Sequence, residues 1–146
     1  MPYEYVEDGV TSDVTFHAWG RDLDELFAAA ADATANVMVA SLDSVRPLVS
    51  RTVSLSADAL DLLLMRLLDE LIFYKDAEGL LLRACGVHVT ATDNTSHLPQ
   101  LTAELRGEPI DLTRHEMLAD VKAVTLHGLR VEVVEGAAHA RVTLDV

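Results

Sequence analysis

Two periods alternate along this chain. Residues 13–19, DVTFHAW, change polarity at every step: Val14, Phe16 and Ala18 share one parity, Asp13, Thr15, His17 and Trp19 the other. Successive strand side chains point to opposite faces, so the pattern predicts a strand with a mixed outer face, closed by Gly20. From 23 to 39 the period becomes helical. Leu23, Leu26, Phe27, Ala30, Ala33, Thr34, Val37 and Met38 form one apolar stripe, and Asp22 with Glu25 three residues on has the spacing of a capping box. A second strand is expected over 48–55, after the break at Pro47. Ser56 then stands where a cap belongs for a helix over 57–75, whose stripe is Leu60, Leu63, Leu64, Leu67, Leu68, Leu71 and Ile72. Leu62, Met65 and Phe73 widen its apolar girth, which predicts packing against more than one element.

Beyond a turn at Asp76–Gly79 the pattern is mostly of strands, near 80–92, 98–106, 121–127, 129–135 and 138–145. His127–Gly128 and Glu135–Gly136 are the turn signals among the last three. No repeat and no Pro/Ser-rich linker divides the chain. The expectation is one α+β domain over 1–146, two main helices packed on a largely antiparallel sheet.

Composition narrows the function. Half of the 146 residues are hydrophobic, which argues against disorder. No apolar run approaches the roughly 18 residues of a spanning helix, so no membrane partner is expected. The start, MPYEYVEDG, lacks the basic-then-apolar order of a signal peptide. The single cysteine, Cys85, is expected to be a buried inert thiol, and one cysteine excludes a disulfide framework or a cysteine zinc cluster. A cytoplasmic location is the resulting expectation. The 24 acids against 11 bases give a formal charge of −13. Phosphate backbones are gripped by clustered Lys and Arg, so direct nucleic-acid binding is not expected. An acidic body instead attracts cations or a basic protein surface.

The usual catalytic signatures (GxSxG, GxxxxGK[ST], HExxH, GxGxxG) are absent, and no residue is assigned a catalytic role. The six histidines are scattered. Three positions stand out by placement. Asp13 opens the first main strand. Asp145 falls on the outward parity of the closing ARVTLDV. Lys122 shares its parity with Val124 and Leu126, where a strand puts its core. If the two aspartates converge, they offer oxygen donors to calcium, magnesium or manganese, with Val146 adding a backbone carbonyl or, at a true chain end, a carboxylate. Otherwise they are two solvated strand-end acids. Lys122 is a snorkelling stem, the counter-ion of a carboxylate cluster, or a proton carrier.

Read together, the stretches resemble the archease family over nearly the whole chain. YEYVEDGVTSDVTFHAWG is similar to its aromatic-rich opening strand, His-Thr-Ala-Asp element and Trp/Tyr-Gly strand end; RDLDELFAAAADA matches its first helix and LLDELIF its second. GEPIDLTRHEMLADVKAVTLHGLRVE carries its Gly-Glu, Arg-His and Val-Lys-Ala-x-Thr-x-His elements, and ARVTLDV its Leu-Asp-Ile/Val close. The resemblance implies a protein cofactor of an RtcB-type RNA ligase, the class that joins tRNA halves and repairs RNA breaks. It would promote guanylylation and multiple turnover rather than catalyse. It also implies a divalent-metal site at Asp13, Asp145 and Val146, and an activating role for Lys122.

The chain departs from the family at Val10, where the pattern has histidine, and at Ser12, where it has alanine. Glu7 and Asp8 stand nearby as possible compensation. Ser12, His17, His115 and His127 are secondary site candidates. Two other readings compete: a stand-alone metal-dependent hydrolase using Asp13, Asp145 and Lys122, and a general protein-binding or chaperone-like module using the apolar second helix.

Overall fold

The computed structural model describes residues 1–6, 13–91 and 98–146. Within them the chain forms β1 (Tyr3–Val6), β2 (Asp13–Gly20), α1 (Leu23–Met38), β3 (Val49–Ser56), α2 (Leu60–Glu78), β4 (Leu80–Thr90), β5 (Gln100–Pro109), β6 (Ala123–Val134) and β7 (Ala137–Asp145). One sheet has the order β1-β2-β7-β6 and the other β3-β5-β4, with every pairing antiparallel. This is the expected α+β architecture, with the strands divided between two sheets.

The Asp22 cap forms as the sequence predicts, while the return bond of the capping box shifts by one residue, to Arg21. The Asp22 carboxylate accepts the Glu25 N–H at 2.9 Å, and Glu25 reaches back to the Arg21 N–H at 2.9 Å. Both helices bridge the sheets. α1 lies on β2 and β7 of one and β4 of the other; α2 touches β6 of one and β3, β4 and β5 of the other. Between them sit Phe16, Leu26, Phe27, Leu63, Leu64, Leu67 and Leu144, all fully buried. Leu62 and Met65 on the flank of α2 are half-buried and Phe73 is exposed, while the stripe Leu63, Leu64, Leu67, Leu68, Leu71 and Ile72 is core. That weakens the reading of this helix as a client-binding face.

Three local expectations are corrected. Ser56 ends β3 instead of capping α2; the N-cap is Ala59, whose carbonyl accepts the Leu63 N–H, with no side-chain cap. His127–Gly128 is not a turn between two strands. β6 is one strand, and its register shifts between Thr125 and Arg130 across Gly128, which adopts φ +67°. A left-handed glycine lets a bulge absorb extra residues without ending the pairing. The Glu135–Gly136 turn is where expected, with Val134 paired to Ala137. Cys85 is exposed. It is the extra residue of a bulge between Ala84 and Gly86, which removes it from the buried parity of β4. No helix among the described residues is long and apolar enough to cross a membrane.

Candidate functional site

Strand register brings the ends of the sequence together. In the β2–β7 pairing Asp13 lies opposite Asp145, and β6 sets Ala123 on the other side of Asp145. Directly opposed residues project to the same face with Cβ atoms about 4.5–5.5 Å apart. The two carboxylates therefore share one end of the outer face of the first sheet, and both residues are half-buried, as is Val146. The next row inward is Thr15 and Thr143, buried and joined hydroxyl to hydroxyl at 2.9 Å. That bond ties β2 to β7 beneath the acids.

Lys122 stands elsewhere than its parity implied. It precedes β6 and is exposed, and Leu126, taken for a core residue, is 67% exposed. The bulge breaks the alternation on which that expectation rested. The Lys122 backbone N–H donates to the Asp145 carbonyl at 2.8 Å, which ties its main chain to the acidic pair. Its ammonium acts on Asp120. The Asp120 carboxyl is held below its ordinary range first by the hydrogen bond from Lys75 and, more weakly, by the charge of Lys122.

Lys75 escaped notice in the sequence, although it continues the α2 stripe four residues past Leu71 and three past Ile72. Its side chain is buried. It donates to the Val121 carbonyl at 2.8 Å, to Asp76 at 2.9 Å and to Asp120. Burial alone would lower its pKa, but the bonds to Asp120 and Asp76 outweigh that and raise it. α2 thus grips the two residues immediately before Lys122.

A second buried polar cluster involves Glu108, 2% exposed. It accepts the Arg46 N–H at 2.6 Å, the Arg46 guanidinium at 3.1 Å, Arg114, and His115 Nε2 at 3.2 Å. Burial pushes the Glu108 carboxyl up, yet these donors together hold it well below the usual carboxylate range. The Asp111 N–H donates to His115 Nδ1 at 2.9 Å, so Nε2 carries the proton given to Glu108. His115 is therefore a structural tie, and none of its polar partners belongs to the acidic pair. The tie holds down the segment that supplies the end of α1 with partners: Ala119 N–H to Val37 O at 3.1 Å and Leu118 N–H to Met38 O at 2.8 Å. His127 is exposed on the β6 bulge. Ser12, Val10, Glu7 and Asp8 lie outside the described residues.

Two carboxylates suit a hard cation and are a poor match for zinc. Among the described residues no three His, Cys, Asp or Glu side chains gather as a metal cage. Calcium takes roughly six to eight oxygens, so the pair is part of a coordination shell, to be completed by water, main-chain oxygen or another molecule.

The Archease protein family model matches residues 3–146. The archease of Methanothermobacter thermautotrophicus is 36% identical over 137 residues, spanning 94% of each chain. That of Thermococcus gammatolerans is 34% identical over 122 residues, 84% of this chain and 83% of its own. The solution structure of Methanobacterium thermoautotrophicum protein 1598 superposes with a TM-score of 0.81 at 34% identity, covering 99% of both chains. A Thermotoga maritima crystal structure, described as an archease and possible chaperone, has a TM-score of 0.63 at 14% identity over 98% and 99% of the two chains; it shares the fold. On the match of nearly the whole chain to the family model and on these relatives, the chain belongs to the archease family.

Proposed function

We propose that this protein activates an RtcB-type RNA ligase, promoting its guanylylation and multiple turnover, and is not itself the catalyst. The observation that carries the reading is the pairing of Asp13 with Asp145, side by side on one sheet face although 132 positions apart in the chain. Family membership supports it. Asp13, Asp145 and an oxygen of Val146 would hold a calcium, magnesium or manganese ion. Such an ion would supply positive charge and Lewis acidity at the contact with the ligase. The protein's own work is positional. The Thr15–Thr143 bond fixes the carboxylates, and the Lys122–Asp145 main-chain bond places a cation on the rim. The formal charge of −13 favours encounter with a basic enzyme surface.

The test is a multiple-turnover RNA ligation with the cognate ligase at limiting GTP and metal. Wild-type protein should restore turnover after the first cycle; D13A and D145A should not, while keeping the native circular dichroism spectrum. Full stimulation by both folded variants would refute the proposal. Turnover of RNA or of phosphate esters by the isolated protein would favour the hydrolase reading instead.

A further inference from the structure

Along the outer face of the first sheet, away from the acidic pair, the register lays out two further rows. One runs Glu4, His17, Arg141, Arg130 across all four strands; the next sets Trp19 opposite His139, with Glu132 beyond. His17 is four residues from Asp13, about 13 Å along the strand. Together these residues line an open depression of about 570 Å³.

Arg141 is the unusual member. Arg21, Arg46, Arg51, Arg83, Arg106, Arg114 and Arg130 each have a carboxylate within 4 Å. In a chain with more than twice as many acids as bases, pairing is the expected state of a guanidinium. Among the described residues Arg141 has no such partner. It is half-buried, and its Nη1 donates to His17 Nε2, 3.3 Å away. Gly128, on the β6 bulge, leaves the space above it: a Cβ there would stand 3.2 Å from Arg141 Nε. A guanidinium only donates, so His17 Nε2 accepts from Arg141, while His17 Nδ1 faces the Glu4 carboxylate 3.9 Å away; the guanidinium donors that Arg141 does not spend on His17 are open to an anion. Trp19 separates this depression from a second one of about 530 Å³, whose walls include Pro2, Ala28 and Ala29. The indole is 37% exposed. It presents a stacking surface beside the Arg141 guanidinium.

We propose that this face binds a mononucleotide, a phosphate monoester carried on an aromatic base. Arg141 holds the phosphate, with His17 orienting the guanidinium, and Trp19 stacks the ring. The ligand is a single nucleotide and not a strand, because each further phosphate meets the net negative charge of the body.

The proposal is tested by NMR titration of the full chain with adenosine monophosphate, inorganic phosphate, adenosine and a 5′-phosphorylated tetranucleotide. The nucleotide should bind most tightly and shift the His17, Trp19 and Arg141 resonances together. R141Q should weaken nucleotide and phosphate binding by about tenfold or more, the loss of a charged hydrogen bond. R66Q removes the same charge from α2, from another arginine with no described carboxylate partner, and should change neither. W19A should lower the affinity for the nucleotide to that for phosphate. The proposal is overturned by the absence of saturable shifts at these residues, equal losses in R66Q and R141Q, or equal wild-type affinity for phosphate and nucleotide. Tighter binding of the tetranucleotide would overturn it as well. Each variant's melting curve identifies an unfolded sample, and a folded R141S repeats the test should R141Q fail to fold.

Discussion

Lys75→Met isolates the grip that α2 exerts on the approach to β6. Methionine keeps most of the buried stem and deletes the ammonium. Three interactions are lost. The Val121 carbonyl, on a residue with 0% exposure, loses its 2.8 Å donor, at a cost of roughly 1–3 kcal/mol for a buried unsatisfied acceptor. The Asp120 and Asp76 side chains are 71% and 59% exposed, so solvent screening limits each pair to about 0–1 kcal/mol. Removing the cost of burying the ammonium returns part of this. The net expectation is a loss of about 1–4 kcal/mol, or on the order of 2–15 °C in Tm for a chain of this size. The effect should also be local. The Lys122 amide, bonded to the Asp145 carbonyl, should exchange with deuterium faster than the amides of β2. The pH dependence has a defined sign. The folded pKa of Lys75 is raised, so its contribution is complete below the unfolded value of about 10.4 and is lost as pH rises through the folded value. Asp120 is depressed, so its share is present above about 3.9 and is lost as pH falls through the folded value. The wild-type advantage over K75M should therefore be flat between roughly pH 5 and 9 and shrink outside. Urea unfolding across that range, with amide exchange at pH 7, makes the comparison. A loss under about 0.5 kcal/mol with unchanged Lys122 protection would show that α2 does not hold this segment.

Three other outcomes follow from the same geometry. D145N should stabilise the metal-free protein by about 0.2–1 kcal/mol, because like charges directly opposed in a sheet repel, and should abolish any rise in Tm on adding calcium; differential scanning calorimetry with and without the ion reads both. T143V should cost roughly 1–3 kcal/mol by stranding the buried Thr15 hydroxyl, and T15V/T143V should recover much of it, as a denaturant-based double-mutant cycle will reveal. E108Q should melt earlier at pH 7, and its disadvantage should narrow as pH falls below about 4.3, where a carboxylate depressed in the folded state begins to lose its contribution; melting curves at pH 7 and pH 3 test this.

The sequence made α1 and β2 legible because their chemistry is local: a capping box, a 3.6-residue stripe and a period-2 alternation each act within a few residues. The outward parity of Asp13 and Asp145 was equally visible. Their adjacency was not, because it depends on β7 entering between β2 and β6, a choice made by the whole core. The same limit explains the errors on β6 and β4. Gly128 is as good a turn signal as a bulge signal, and only the partner strand decides. Cys85 left its buried parity through one extra residue that no periodicity records. Lys75 was overlooked because an amphipathic stem on an apolar stripe reads as surface unless its polar partners, 45 and 46 residues away, are known.

The order of the strands also bears on how the molecule is made. β7 leaves the ribosome after every other strand of the two sheets described, yet it occupies an interior place in its sheet, between β2 and β6. Until it arrives, those two strands present unsatisfied edges, and contacts between partners so remote in sequence form slowly. A nascent or prematurely stopped chain lacking residues 137–146 would keep the β1–β2 ribbon but leave β2 with one open edge, β6 with no partner and no acidic pair. Such a fragment should be recruited by strand-pairing with its own kind, making aggregation the signature of incomplete synthesis.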